Sequence, residues 1–455
     1  MVFSSIMFIF RFLPIAFIIY YLTPNKLKNL TLLILSLFFY SWGEPKYLFI
    51  MILSIIVDYS LSILIEKYRE RAFISKAFLI SSVTFNLGIL ILFKYINFFV
   101  ENINSAFGAS MSLIYLTLPL GISFYTFQTM SYTIDVYRGN VRAERNIINF
   151  GAYVCLFPQL IAGPIVRYSD INNELNNRNI KMDQIEEGIK EFIIGLGKKV
   201  LIANNIGLLW NEIEGLGVSN VSTSLLWLGV IAFSLQIYFD FSGYSSMAIG
   251  LGRMLGFNFP QNFNFPYISR SITEFWRRWH ITLGNWFKEY LYIPLGGNRV
   301  GYKRTVLNLL VVWVLTGFWH GAEYNFIVWG LYFFILITLE KFYLIKYLNK
   351  RKLVSHIYSI SAIIFGWAIF AFEDLGNIQY LFQPNWSLDF IYYLRNYFLV
   401  FLIAILCSSK VINNIYEKMV KKNKYVECFI LSMIFIISVA YLIDSTYNPF
   451  LYFRF

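Results

Sequence analysis

"VVWVLTGFWHGAEYNFIVWG", residues 311–330, reads as two lipid-soluble helical segments joined by a short polar gap, with His320 at the gap. Arg304 marks the inner start of the first segment. From Thr305 to His320 a helix rises about 24 Å at roughly 1.5 Å per residue, less than the roughly 30 Å of a bilayer's hydrocarbon layer. Gly321 follows at once and favours a break. A helix that begins at the inner face therefore leaves His320 inside the membrane, short of the outer face. A titratable ring at that depth needs a polar or water-filled pocket, because facing lipid is costly.

The rest of the chain has the same character. Its 455 residues would make about three soluble domains at ~150 residues each. Composition overrules that count: 58% hydrophobic, 20% aromatic and only 14% charged describes an integral membrane protein. Apolar runs near 3–22, 29–43, 47–65, 75–99, 113–135, 190–210, 222–252, 305–320, 324–346, 355–373, 389–408 and 427–444 approach or exceed the roughly 20 residues of a span. A further run, 149–166, contains Pro158, Gly163 and Pro164 and is expected to be broken or re-entrant. The first run lacks a basic start and a small-residue cleavage site, so it is expected to be retained as a helix. The fold class is all-α and polytopic, with about eleven spanning helices plus re-entrant or interfacial ones in a single domain, 1–455.

Within that domain, residues 1–135 read as scaffold helices with few intramembrane charges. The Gly, Pro, Arg and Asp landmarks concentrate in 137–330, the expected catalytic core, and 331–455 return to helices, ending in "NPFLYFRF" (448–455). Residues 167–192 are too polar to span and are expected to form a solvated loop leading into a surface helix, with no catalytic role.

The net charge of +12 is carried by connections such as "EKYRERAFISK" (66–76), "NRVGYKR" (298–304) and "EKMVKKNK" (417–424), while "ENINSAFGAS" (101–110) and "EDLGNIQ" (373–379) hold no Lys or Arg. That is the inner-face bias of a membrane protein rather than a nucleic-acid surface. Cys155, Cys407 and Cys428 are scattered, with no C-x-x-C pair, so neither a metal centre nor a redox motif is expected. No Walker A loop, G-x-G-x-x-G element or internal repeat is present, and ATP-driven chemistry is not indicated.

In "ISRSITEFWRRWHITLGNWFKEYLYIPLGG" (268–297), Ile272, Phe275, Trp276, Trp279, Leu283, Trp286, Phe287 and Tyr290 recur at helical spacing. The pattern predicts one amphipathic helix, with His280 on or beside its apolar face, ended by the turn residues of "PLGGNR". Imidazole takes and returns a proton near neutral pH. With no metal cluster beside it, activating a hydroxyl as a general base is its natural chemistry, and acyl transfer from a thioester needs little more than that base, proximity and oxyanion donors. His280 and His320 could equally be satisfied structural residues.

The stretches "FPQLIAGPIVRYSDI" (157–171), "GLGKKVLIANNI" (195–206), "IYFDFSGYSSMAIGLGRMLGFNFPQNFNFPYISRSITEFWRRWHITLGNWFKEYLYIPLGGNR" (237–299) and "TGFWHGAEYNFIVWG" (316–330) resemble the membrane-bound O-acyltransferase family, within it the bacterial branch that O-acetylates alginate and peptidoglycan. The resemblance implies a helical bundle around a central tunnel, with His320 as the essential catalytic residue and His280 as its partner. It implies an acetyltransferase of a bacterial inner membrane, taking acetyl from a cytoplasmic thioester, acetyl-CoA, with no permanently bound cofactor and no metal. The acceptor would be a cell-wall or extracellular polysaccharide, reached through a periplasmic esterase-like partner protein. Ser246 departs from the branch, which often has Asp there, and no role is carried onto it. Among the neighbours, Asp240 could orient a histidine or cap nearby backbone, and Arg277 and Arg278 could meet a donor's phosphates or supply inner-face charge. Trp276 and Trp319 could line a tunnel or simply pack, and Asn298 could approach the donor entrance. His356 reads as interfacial, and Gln159, Gly163 and Pro164 as shaping a broken element. Two rival functions remain: D-alanyl transfer from a carrier protein to teichoic acid, and export of a polymer or lipid precursor without bond chemistry.

Overall fold

A computed structural model describes residues 2–114, 116–161, 163–420 and 423–444, and every regular element among them is helical. The aromatic ending 448–455 lies outside the described residues. Among the described residues, eight helices are long and apolar enough to cross a membrane: Pro45–Lys67, Ala72–Phe107, Met182–Leu216, Thr223–Met254, Tyr324–Leu348, Lys352–Ala371, Asp389–Cys407 and Lys424–Asp444. Phe8–Leu22 is apolar but shorter, and Tyr302–His320 carries Lys303 and Arg304 in its first turn. The chain packs as two compact units, one of Met1–Phe192 with Met247–Pro260, the other of Ile193–Ser246 with Gln261–Phe455.

In the first unit, the Ile122–Arg138 helix is buried around almost its whole circumference, although it carries Ser123, Thr126, Gln128, Thr129, Ser131 and Thr133. Buried polar groups must be satisfied from within. Asp58, completely buried, accepts from Ser82 at 2.6 Å and from Asn86 at 2.8 and 3.0 Å, and Thr129 donates to Asn86 at 3.0 Å. The scaffold half therefore buries an ionisable group that its apolar runs conceal.

Two expectations need correction here, and a third holds. The run 113–135 is not one helix: the helix begins at Ile122, after Gly121 at φ +71°, where a Cβ would meet the Leu160 carbonyl. The 167–192 segment is not a solvated loop. Tyr168–Asn176 is a helix with Tyr168, Ile171 and Leu175 buried, and Arg178 donates to the Tyr20 hydroxyl at 3.0 Å and to Asn29 at 2.5 Å. The broken element is real, with Ile147–Cys155 ending before a four-residue helix that starts at Phe157 and carries Pro158 second.

The second unit is built round an aromatic core that includes Trp210, Trp279, Trp329 and Trp367, all buried. The Tyr302–His320 and Tyr324–Leu339 helices cross with backbones touching: a Cβ on Gly317 would strike the Phe326 carbonyl, and one on Gly330 the Trp313 carbonyl. Small residues at such a crossing let membrane helices approach closely. The single amphipathic helix expected over 268–290 is also corrected. It breaks into Ile272–Arg278 and Ile281–Phe287, followed by a π-helical turn at Lys288–Tyr292, and the break falls at Trp279 and His280.

Candidate active site

The first short helix is fixed at its start. Ser271 caps it, accepting from the Glu274 N–H at 2.9 Å. Glu340, fully buried in the π-helical turn after the 324–339 helix, accepts from Ile272 N–H at 2.6 Å, Thr273 N–H at 2.8 Å and the Thr273 hydroxyl at 2.7 Å. A carboxylate on the free N–H groups of a helix start meets both the orphan donors and the positive end of the dipole. At the other end the chain turns sharply, because His280 takes the left-handed conformation at φ 43° and ψ 54°. His280 and Phe265 are the two non-glycine residues with positive φ among the described ones. Such a conformation costs roughly 1–2 kcal/mol and persists only where surrounding contacts enforce it.

Those contacts come from the irregular stretch before the helix. Asn264 N–H donates to the Arg278 carbonyl at 2.9 Å, and Ile281 N–H to the Asn262 carbonyl at 3.0 Å. The Asn262 side-chain oxygen lies 3.1 Å from His280 Nδ1 and accepts from Thr282 N–H at 3.2 Å and the Thr282 hydroxyl at 2.9 Å. His280 is buried, its ring edge-on to Phe241 at 4.7 Å and to Trp319 at 6.0 Å. Burial holds its imidazole well below the ordinary value, so it stays neutral.

Trp319 joins the two histidines, because its ring is also 5.0 Å from that of His320, the last residue of its helix. His320 is buried against Trp329 at 5.1 Å and Phe370 at 5.3 Å. Asn325 donates to the Phe370 carbonyl at 3.1 Å, tying the start of one spanning helix to the end of another beside this ring.

A cavity of about 840 Å³ opens in this unit, a size suited to a small-molecule or cofactor-like ligand. His280, Trp276, Trp279, Trp313 and Thr316 line its wall. Arg277, Lys288, Lys341 and Asn298 lie on the same wall, so the cavity is apolar with a basic fringe. Lys341 donates to Asn298, which also accepts from the Tyr292 hydroxyl at 2.6 Å. Asn308, buried, holds the adjoining turn by donating to the Leu295 and Gly297 carbonyls at 3.1 and 3.2 Å.

The structure thus gathers His280, Trp276, Arg277 and Asn298 on one cavity, and Trp319 packs against both His280 and His320, neither Trp319 nor His320 lining that cavity. Arg278 goes elsewhere: it pairs with Glu274 at 2.9 Å and donates to the Asn264 carbonyl at 3.0 Å. Asp240 is engaged by Lys199 at 2.7 Å, both buried, and Lys199 also donates to Asn204 at 2.8 Å. Ser246 receives Lys198 at 3.4 Å, and His356 lies 3.1 Å from the Ser269 carbonyl. Asn262, Lys199, Glu340, Lys288 and Lys341 were not singled out from sequence. A lysine inside the apolar run 190–210 and a glutamate inside 324–346 were the available signals for two of them.

The family model for membrane-bound O-acyltransferases matches residues 140–381, which includes every residue of the cavity and both histidines. A probable alginate O-acetylase of Pseudomonas aeruginosa is 43% identical over 85% of this chain and 75% of its own length. A peptidoglycan O-acetyltransferase of Helicobacter pylori is 35% identical over 83% of this chain and 78% of its own. A teichoic acid D-alanyltransferase of Bacillus subtilis is 28% identical over 49% of this chain and 59% of its own. The helical architecture and these matches agree: the chain belongs to the membrane-bound O-acyltransferase family and is a multi-pass membrane acyltransferase.

Proposed function

We propose that this acyltransferase moves acetyl from acetyl-CoA, bound from the cytoplasmic side, toward an extracytoplasmic polysaccharide. The supporting observation is the cavity itself, which combines a basic fringe of Arg277, Lys288 and Lys341 with an aromatic wall of Trp276, Trp279 and Trp313 that ends at His280, on whose ring Trp319 packs from outside the cavity lining. Phosphates of a donor suit the first and a pantetheine arm with its acyl thioester suits the second. His320 acts as general base. It takes the proton of an acceptor hydroxyl as the oxygen attacks the thioester carbonyl carbon. The C–S bond breaks, the thiolate leaves, and the proton returns to it as free CoA, so one ester and one thiol replace one thioester and one alcohol.

The acceptor is a cell-wall or extracellular polysaccharide, through a partner protein on the outer side of a bacterial inner membrane. Relatives named for alginate and peptidoglycan O-acetylation support that class of acceptor. Transfer of D-alanine from a carrier is a lesser fit, since those relatives match only about half of this chain. Export without bond chemistry drops out with the family assignment. Purified protein incubated with acetyl-radiolabelled CoA thioester should release free CoA and bind label to an added acceptor. Unchanged acetyl-CoA, with turnover only when a D-alanyl carrier is supplied, would move the donor assignment to the carrier.

A further inference from the structure

The amide of Asn262 is completely buried, and three groups converge on its one side-chain oxygen: His280 Nδ1, the Thr282 N–H and the Thr282 hydroxyl. Which way this amide points decides where the proton on His280 sits. The Thr282 backbone N–H can only donate, so the atom 3.2 Å from it must be an acceptor. Rotating the amide by half a turn would set its NH₂ against that N–H, donor to donor, in a place water does not reach. The oxygen is thereby fixed, and His280 Nδ1, 3.1 Å from it, must carry the hydrogen. In a neutral imidazole with a protonated Nδ1, Nε2 holds the lone pair.

The same segment is bonded to the His280 turn through its backbone. Ile281 N–H reaches the Asn262 carbonyl at 3.0 Å, so main chain and side chain of Asn262 grip the two sides of the left-handed residue. Thr282 adds its own hydroxyl to the shared oxygen.

We infer that Asn262 is a positioning residue that locks His280 as its Nδ1-protonated tautomer and makes Nε2 the proton-accepting atom of that ring at the cavity. Asn262 itself does not line the cavity, so it acts through His280. The locked tautomer fits His280 as acceptor of a hydrogen bond or proton from a cavity-bound group, with His320 beyond Trp319. Only this last step rests on the acetyl-transfer reading; the tautomer stands on the geometry alone.

The chain has three histidines, which makes the ring state measurable. In the full-length protein carrying His320→Gln and His356→Gln, ring-15N labelling leaves one imidazole to observe. Its spectrum should show Nδ1 protonated and Nε2 unprotonated. Asn262→Leu should turn it into a mixture of tautomers, while Asn262→Asp, which keeps an acceptor oxygen, should hold the wild-type pattern. In the otherwise native sequence, Asn262→Leu should lower kcat at least tenfold with KM for acetyl-CoA within twofold of wild type, and Asn262→Asp should recover most of the loss. A protonated Nε2 in the Asn262 protein, or an unchanged spectrum in Asn262→Leu, overturns the inference. If Asn262→Leu does not accumulate in membranes, the spectra of the Asn262 and Asn262→Asp proteins still decide it. Absence of acetyl transfer by the wild type would fell the acetyl-transfer reading and leave the tautomer result untouched.

Discussion

Two segments bring a histidine to Trp319, and they hold it by different means. Residues 262–282 fix His280 with hydrogen bonds to one buried amide and with a left-handed backbone. Residues 316–330, together with Phe370 from the Lys352–Ala371 helix, frame His320 with the rings of Trp319, Trp329 and Phe370, at the end of a helix pressed against its neighbour at Gly317 and Gly330. Hydrogen bonds specify which nitrogen carries a proton, whereas ring faces and close backbone packing specify where a ring sits. The first arrangement suits a group whose tautomer must not vary. The second fixes the place of the ring proposed above as the base.

The largest expected effect tests the second arrangement. His320→Ala should remain in the membrane at wild-type abundance yet lose acetyl transfer by roughly 10²–10⁴-fold, the range that a positioned proton-transfer group contributes. Polymer acetylation measured against membrane abundance checks it, and wild-type acetylation would end the base assignment. If the loss for His280→Gln matched it, the two arrangements would be equal partners.

Next comes the buried ion pair one residue from Phe241, whose ring packs on His280. Lys199→Met takes the ammonium from the buried Asp240 carboxylate, a loss of ~3–5 kcal/mol, while removing both charges is far milder. Thermal unfolding in detergent should therefore rank Lys199→Met well below wild type, with Lys199→Met/Asp240→Leu recovering most of the difference. Equal destabilisation by both would show that the pair does not act as a unit.

How much of this could be read from the sequence follows the same division. Apolar runs gave the helical class, because length and hydropathy are written in consecutive residues. Helix length and the motif placed His320 at the end of its segment. The break at His280 was not legible, because the stripe from Ile272 to Tyr290 keeps helical spacing straight through it. Asn262 and Asn264, many residues earlier, supply the bonds that enforce the turn. Asp240 likewise read as a lone carboxylate, since its partner Lys199 comes from a different helix. Arg277 and Arg278 are adjacent and chemically alike, and what separates them is Glu274 one turn earlier, bonded to Arg278. Long-range side-chain pairing leaves no periodic trace, and it is what builds this site.

Gly317→Ala tests the framing of His320 from the backbone side. The added methyl must displace the Phe326 carbonyl, because nothing at that contact is the flexible end of a side chain. Overpacking of this kind costs ~1–3 kcal/mol, and the shift should carry His320 with it. Both thermal stability and acetyl transfer should fall, whereas Gly215→Ala, with open space around its Cβ, should move neither. If Gly317→Ala kept wild-type activity, close helix approach would not be what positions His320.

The smallest effect belongs to His280 and is a matter of pH. It stands between two short helices, outside the spanning ones, and burial holds its imidazole well below the ordinary value of about 6.5. As pH falls through that value, the unfolded chain takes up a proton at this site and the folded chain does not. The unfolded state therefore binds more protons, and stability contributed by the neutral ring is complete above the ordinary value and drains away below it. Replacing the ring by an uncharged group removes the term. The stability difference between wild type and His280→Gln should thus shift by about 1 kcal/mol, against wild type, from about pH 7 to about pH 5.5. A constant difference across that window would mean that His280 takes up its proton in the folded protein too. The amide lock would then restrain the ring's orientation without keeping it neutral.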